Sequence, residues 1–176
     1  EVHAQRAHLR IAEYFRTTKL DQRSGWETVW GYTQAKKPAE VEQLLGDLDV
    51  LRMLYTGPGE FEVLTILSRL REAGRDVEAL YRGGLARENP GPDHATYVNS
   101  LLVAADVLER LGLWTGGIEM ARRASDVAVE ANSLVDVAAA ERALGWLLHL
   151  RGDNTAAITS LKHAAHLYDE LGDRRG

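Results

Sequence analysis

Three glycines at nearly constant spacing constrain the fold of this chain more than any other feature. Gly74, Gly112 and Gly152 each follow a stretch with the apolar periodicity of a helix, and they stand 38 and 40 residues apart. A leucine precedes each glycine by four residues, a small residue follows at five and an alanine at twelve: Leu70, Leu108, Leu148; Ala79, Gly117, Ala157; Ala86, Ala124, Ala164. This pattern predicts a hairpin of two helices, about 34 to 42 residues long, that is closed by a left-handed glycine and repeated three times.

The three hairpins give specific helix bounds. We predict helices at residues 60–73 and 75–88, 94–111 and 114–131, and 134–151 and 154–171, in repeats of about 60–92, 93–132 and 133–172. Residues 89–93 read Asn-Pro-Gly-Pro-Asp, a helix stop followed by a cap, Ser133 and Asp136 resemble a capping box, and Asp153 is an expected N-cap. The small residues after each glycine are expected to let paired helices approach closely.

The first 56 residues do not match these columns and form a predicted helical junction. One amphipathic helix is expected from Val2 to Phe15, and another around 23–36 carries Trp26 and Trp30. Lys37-Pro38 predicts a turn, after which spaced leucines indicate one or two further helices. The stretch 56–59, with two glycines and a proline, predicts a short joint, so that the domains are expected at 1–56 and 57–176.

Composition agrees with an all-α fold and excludes several classes of function. Alanine and leucine are frequent and prolines fall only at breaks in the pattern, which favours an all-α solenoid of stacked antiparallel hairpins. The net charge of −5 argues against nucleic acid as a partner, and no apolar run is long enough to predict a membrane span. Without cysteine, neither disulfides nor thiolate metal sites can form.

The third repeat resembles a tetratricopeptide repeat (TPR). The resemblance lies in its Leu-Gly pair, its closing glycine and the small residues that follow: Leu144, Gly145, Leu148, Gly152, Ala157, Leu161 and Ala164. The first two repeats match in part, since the early Trp of the family is replaced by Val63, Leu101 and Glu141. The resemblance implies stacked hairpins with a concave face that binds a protein or peptide.

The N-terminal part is similar to the junction in bacterial STAND-type NTPases and related regulators. The similar segments are residues 8–15, His-Leu-Arg-Ile-Ala-Glu-Tyr-Phe, and the leucine-rich 41–51, while 171–176 look like the start of another repeat. This resemblance implies a cytoplasmic sensor region that passes a signal to an effector or NTPase domain of the same polypeptide. The missing initiator Met is also typical of a piece of a longer protein.

Motifs for catalysis are absent from the sequence. A P-loop requires a Gly-Lys pair, which does not occur, so any NTPase activity is expected in another domain and no cofactor is predicted. His163 and His166 stand three apart on one predicted helix and leave a metal-dependent enzyme open as an alternative. Surface or packing histidines are the simpler interpretation, and we expect no enzyme.

The predicted binding residues lie on the first helices of the hairpins, which line the concave side of such stacks. They are Arg71, Asn99, Asp106, Arg110, Arg142, Trp146 and His149. Arg142 and Trp146, one turn apart, form the favoured pair because Trp and Arg are common anchors of interfaces. Trp146 as part of the core between repeats is an equal alternative.

The sequence therefore predicts a non-catalytic interaction module for a protein or peptide. A stand-alone receptor for peptide pheromones is the alternative within binding modules. Self-association is expected through the uncapped last repeat, where Leu161, Leu167 and Leu171 are predicted to be exposed.

Overall fold

The computed structural model describes residues 2–17, 19, 21–56, 59–85 and 93–172, and these ranges contain helices without strands. The prediction of an all-α fold is confirmed. The described helices are α1 (Val2–Arg16), α2 (Gln22–Gln34), α3 (Pro38–Leu45), α4 (Leu48–Tyr55), α5 (Glu60–Glu72), α6 (Val77–Leu85), α7 (His94–Arg110), α8 (Trp114–Glu130), α9 (Leu134–Arg151) and α10 (Asn154–Glu170). None of them is both long and apolar enough to cross a lipid bilayer.

Packing divides the chain into two compact units, Glu1–Gly84 and Leu85–Gly176. Helices α1 to α5 and nearly all of α6 belong to the first unit, and α7 to α10 form the second. The predicted organisation into a junction at 1–56 and repeats at 57–176 remains a prediction. Gly57, Pro58, residues 86–92 and residues 173–176 lie outside the described residues, as do the parts of the predicted joint, helix stop and fourth repeat that fall on them.

The second unit is an array of helices with a period of twenty residues. Helices α7, α8, α9 and α10 begin at residues 94, 114, 134 and 154 and contain 17 or 18 residues each. Each packs along its neighbour, and short turns make neighbouring helices antiparallel. Helices α7 and α9 therefore run in the same direction, and they also contact each other.

The turns of this array share one backbone geometry. Gly112 and Gly152 adopt the predicted left-handed conformation, with φ of 71° and 95°. The following amide, that of Leu113 or Asp153, donates to the carbonyl oxygen five residues earlier, in the bond of a Schellman motif. Asn132, with φ of 54°, closes the turn between α8 and α9 in the same way. Asparagine tolerates this region better than most residues, which explains why the predicted turn between 131 and 134 needs no glycine.

Close packing in the second unit depends on small side chains, as predicted. A Cβ atom added to Gly117 would lie 3.0 Å from Leu147 Cδ2 and 3.3 Å from the carbonyl oxygen of Ala105, so α8 approaches α7 and α9 closely. Between α9 and α10, a Cβ atom on Gly145 would lie 2.7 Å from Leu161 Cγ. The remaining predicted positions of this kind, Ala124, Ala157 and Ala164, are buried.

The first hairpin differs from this plan. Gly74 is left-handed as predicted, with φ of 79°, but Ala79 is exposed, and the prediction that it packs against the preceding helix is wrong. Helix α6 begins three residues after its glycine, whereas α8 and α10 begin two residues after theirs. One extra residue rotates Ala79 by about 100° relative to Gly117 and Ala157. Val77 and Tyr81 are buried on this helix.

Two predicted N-cap residues, Ser133 and Asp153, occupy the N-cap positions of α9 and α10, but their side chains cap no backbone amide. The Ser133 hydroxyl does not accept from a backbone amide and donates instead to the Asp136 carboxylate, at 2.7 Å. Asp153 occupies the N-cap position of α10, but its side chain caps no amide and pairs with Arg151. The Ser133 hydroxyl is thus directed to a neighbouring carboxylate, and the Asp153 carboxylate accepts from a neighbouring guanidinium.

In the first unit, short helices join through caps and a proline. Asp21 and Ser24 form a reciprocal capping box at the start of α2, with 2.7 Å from the Ser24 amide to Asp21 Oδ1. The predicted turn before Pro38 is present, with Lys36 in the left-handed region. The core of this unit is mainly aliphatic and includes Val29, Leu45, Leu48, Leu51, Leu54, Val63, Leu67 and Tyr81.

Helix α10 and the residue after it carry exposed apolar side chains. Leu161 and Leu171 are exposed as predicted, but Leu167 is buried, so its predicted exposure is wrong. Leu167 lies three residues after Ala164, and both face the neighbouring helix. Ile158 is exposed as well, so the exposed apolar side chains of α10 and its C-cap are Ile158, Leu161 and Leu171.

Candidate functional site

A groove between the parallel helices α7 and α9 collects three of the predicted binding residues. The cavity of about 140 Å³ is lined at helical spacings of three, four and seven residues on both helices. Its walls are Leu102, Ala105, Asp106 and Glu109 on α7, and Ala139, Arg142, Ala143, Trp146 and Leu147 on α9. Alanines at the centre leave the space, while charged and aromatic side chains surround it.

Trp146 is held at the rim of the groove by a hydrogen bond. Its indole Nε1 donates to Glu109 Oε1 at 2.9 Å, and its ring lies 5.8 Å from that of His149. Trp146 is nevertheless 47% exposed. It therefore spans α7 and α9 while a large part of its ring faces solvent, unlike the fully buried leucines of the core.

The charged side chains of the groove differ in whether they already have hydrogen-bond partners. On α7, Arg110 Nε donates to Asp106 Oδ2 at 3.1 Å, and Glu109 accepts from Trp146. Within the ranges that the structure describes, the guanidinium of Arg142 forms neither a hydrogen bond nor an ion pair. The groove therefore offers a cation to a ligand while its carboxylates already have partners.

The structure separates the predicted residues into three groups. Asp106, Arg142 and Trp146 line the groove together. Asn99, Arg110 and His149 are exposed on the same two helices without lining it, and His149 Nδ1 lies 3.1 Å from Asn154 Oδ1. Arg71 is exposed on α5 in the other unit.

Arg142 and Trp146 both line the groove, and their role as anchors for a partner stays a prediction. Among the described residues, the ring contact of Trp146 is with His149, and its hydrogen bond is with Glu109. Glu109 itself was not predicted. The sequence nevertheless contains a pattern that indicates Glu109. The spacing of the groove residues on α9 recurs on α7, 37 residues earlier: Ala139, Arg142, Ala143 and Trp146 correspond to Leu102, Ala105, Asp106 and Glu109.

The two histidines of the metal alternative lie on the exposed surface of α10. His166 Nδ1 lies 3.6 Å from Glu170 Oε1, and His163 is exposed. In the described ranges, no three His, Asp or Glu side chains are grouped so that they could hold a metal ion.

Comparisons with known proteins do not assign a family. No protein-family model matches the chain, and a search of the curated proteins finds no match. Function must therefore be argued from the geometry of the chain itself.

Proposed function

We propose that this chain is a non-catalytic interaction module whose TPR-like hairpins bind a protein or peptide segment along α7 and α9. The period of twenty residues, the shared turn geometry and the small residues at close contacts support stacked hairpins. In such a stack, the first helices of successive hairpins form the binding face, and α7 and α9 hold these positions.

One observation carries the proposal: a half-exposed indole and an unengaged guanidinium lie on the same groove. The bond from Trp146 to Glu109 fixes the ring before a ligand arrives, which lowers the entropy lost on binding. Arg142 can then bind a carboxylate or a backbone carbonyl of the ligand, while the small space between the alanines accepts an apolar side chain.

The larger context is part of the same proposal. The similarity of residues 8–15 and 41–51 to the junction of STAND-type NTPases supports a cytoplasmic sensor region. In this proposal, binding at the groove is transmitted to an effector domain of the same polypeptide.

A selection from displayed peptides tests the binding face. Random dodecapeptides on phage are selected on the whole chain, and the enriched peptides are measured by calorimetry. Because Trp and Arg anchors dominate interfaces, we expect the Arg142→Ala/Trp146→Ala variant to bind at least about tenfold more weakly than the wild type.

A matched control exists on the neighbouring helix. Trp114 and Arg122 are also exposed but lie on α8, outside the groove, so the Trp114→Ala/Arg122→Ala variant is expected to bind as the wild type does. Equal affinity of the enriched peptides for the groove variant and the wild type would contradict the proposal. Failure to enrich any peptide would contradict peptide binding itself.

A further inference from the structure

An aromatic hollow belongs to the first unit, whereas the groove between α7 and α9 belongs to the second. A cavity of about 280 Å³ separates α2 from α5 and is lined by Trp26, Trp30, Thr33 and Gln34 on α2 and by Phe61, Glu62, Thr65, Ile66 and Arg69 on α5. A second hollow, lined by Trp26, Glu27 and Trp30, shares its two tryptophans. We call the two together the tryptophan hollow.

Two of the aromatic side chains of the tryptophan hollow are exposed. Phe61 is 71% exposed and Trp30 is 45% exposed, although both could contribute to a core. Among the described residues, no ring contact joins Trp26, Trp30 and Phe61 to one another, so their faces are not consumed by mutual stacking. Grouped aromatic surface of this kind commonly marks an interaction site.

Both tryptophans pack against another residue of the first unit. The ring of His8 lies edge-on to Trp30, with centroids 4.7 Å apart. Gly59 lies against the indole of Trp26, since a Cβ atom there would be 2.7 Å from its Cζ2 atom. These contacts fix the positions of both rings before a ligand binds.

The charged side chains that line the tryptophan hollow indicate which class of ligand it can bind. In the part of the chain that the structure describes, the carboxylates of Glu27 and Glu62 form no hydrogen bond or ion pair, and both line the tryptophan hollow. Arg69 lines it as well, but two helical turns beyond Glu62, or about 10 Å along α5. Gly59, directly before α5, lies against Trp26, so the start of α5 with Glu62 lies beside the part of α2 that carries Trp26 and Glu27. This end combines aromatic faces with two carboxylates that have no partner among the described residues.

We propose that this end of the tryptophan hollow binds an arginine side chain from a cationic segment of a partner protein. A guanidinium is planar and weakly hydrated, so it stacks on aromatic faces more readily than an ammonium group does. Its charge complements Glu27 and Glu62, whereas a purely apolar or proline-rich ligand would leave both carboxylates without a partner.

The test uses tryptophan fluorescence with two short peptides. The chain has four tryptophans, so the Trp114→Phe/Trp146→Phe background restricts the signal to Trp26 and Trp30. The probes are the capped peptide Gly-Arg-Gly-Arg-Gly and the same peptide with citrulline in place of arginine, which keeps the shape and removes the charge. We expect saturable binding of the arginine peptide and at least about tenfold weaker binding of the citrulline peptide. Calorimetry on the wild type repeats the measurement without the background substitutions.

Single substitutions should shift the affinity in both directions. Phe61→Ala and Glu62→Gln should each weaken binding of the arginine peptide about threefold, while Arg69→Gln should strengthen it about twofold because it removes a like charge. Tyr14→Ala and Glu13→Gln are matched controls, an exposed aromatic and an exposed carboxylate on α1 outside the tryptophan hollow, and should change nothing.

Three results would overturn the inference. These are equal affinity for the citrulline peptide, tighter binding of nonaproline than of the arginine peptide, and no saturable signal up to about 1 mM arginine peptide. None of them bears on the groove between α7 and α9, which lies in the other unit.

Discussion

Two turns of the molecule are nearly identical in backbone geometry but lead to different packing. Gly74 and Gly112 have φ of 79° and 71°, and in each turn the next amide donates to the carbonyl oxygen five residues earlier. Helix α8 then begins at Trp114, two residues after its glycine, and α6 begins at Val77, three residues after. The turn determines how a helix ends, but the start of the next helix determines which face it buries.

The two units consequently fill space by different means. In the second unit, Gly117 lets α8 approach the backbone of α7, and no large side chain is needed there. In the first unit, the equivalent Ala79 is exposed, and the large side chain of Tyr81 fills the interior from the same helix.

The largest effect is expected from adding bulk at this equivalent position in each unit. Gly117→Val should lower the free energy of unfolding by about 2 kcal/mol, because its side chain would overlap Leu147 and the Ala105 carbonyl oxygen. Ala79→Val should change it by no more than about 0.5 kcal/mol, since the position faces solvent. Urea titrations followed by circular dichroism measure both. Equal losses would show that the two hairpins pack alike, contrary to this comparison.

A smaller and equal effect is expected at the two turns themselves. Neither Gly74 nor Gly112 has an atom within 4 Å of an added Cβ, so alanine there meets only the cost of a left-handed backbone. Gly74→Ala and Gly112→Ala should each lower the free energy of unfolding by about 1 to 2 kcal/mol. Hydrogen exchange measured by mass spectrometry assigns each loss to its own unit. A cost at Gly112 alone would mean that the turns are not equivalent.

The sequence predicted the regular part of the fold because one signal was repeated. Closing glycines and buried leucines four residues earlier recur at fixed spacing, and the helices of the second unit begin within one residue of the expected positions. The exposure of Ala79 could not be predicted in this way. It depends on a single extra residue before α6, and a spacing counted from the glycine does not detect that residue.

The candidate groove was predictable in part for a similar reason. Helical spacing placed Asp106, Arg142 and Trp146 on one face, and the structure brings them together. The partner of Trp146 was not evident, because a hydrogen bond to Glu109 across 37 residues depends on how α7 and α9 pack. The tryptophan hollow likewise requires α2 and α5 to lie side by side, which no local pattern indicates.

Replacing Tyr81 with phenylalanine should stabilise the first unit. Its hydroxyl is fully buried and has no hydrogen-bond partner among the described residues, and burial raises its pKa well above the ordinary value. Tyr81→Phe should therefore raise the free energy of unfolding by about 1 kcal/mol, because an unpaired buried hydroxyl is costly. Tyr14→Phe, on the exposed surface of α1, is the control and should have little effect. Thermal unfolding measures the stability of both variants. A loss of stability in Tyr81→Phe would indicate that the hydroxyl has a hydrogen-bond partner in the folded protein.

The smallest expected effect concerns the residue that follows the glycine in each turn. In the first unit this is Arg75, which binds Glu42 of α3 through two hydrogen bonds, with 2.6 Å between Arg75 Nη2 and Glu42 Oε2. The equivalent residue of the second unit is Leu113, which carries no charge. The hydrogen bond from Arg75 holds the pKa of Glu42 below its ordinary value of 4.5.

This ion pair should make the first unit more sensitive to acid. Because the folded state lowers the pKa of Glu42, its stabilisation is complete above the pKa of the unfolded chain and is lost as the pH falls through the folded value. Glu42→Gln should lower Tm by about 2 °C near pH 7, since the Arg75 side chain is about half exposed and solvent screens the pair, and the difference from the wild type should disappear as the pH falls below the ordinary pKa of the carboxyl. Glu13→Gln on α1 is the control and should show no comparable convergence. A difference between Glu42→Gln and the wild type that stays constant down to pH 3 would show that Arg75 binds the neutral side chain as well, and that charge does not distinguish this turn from the one at Gly112.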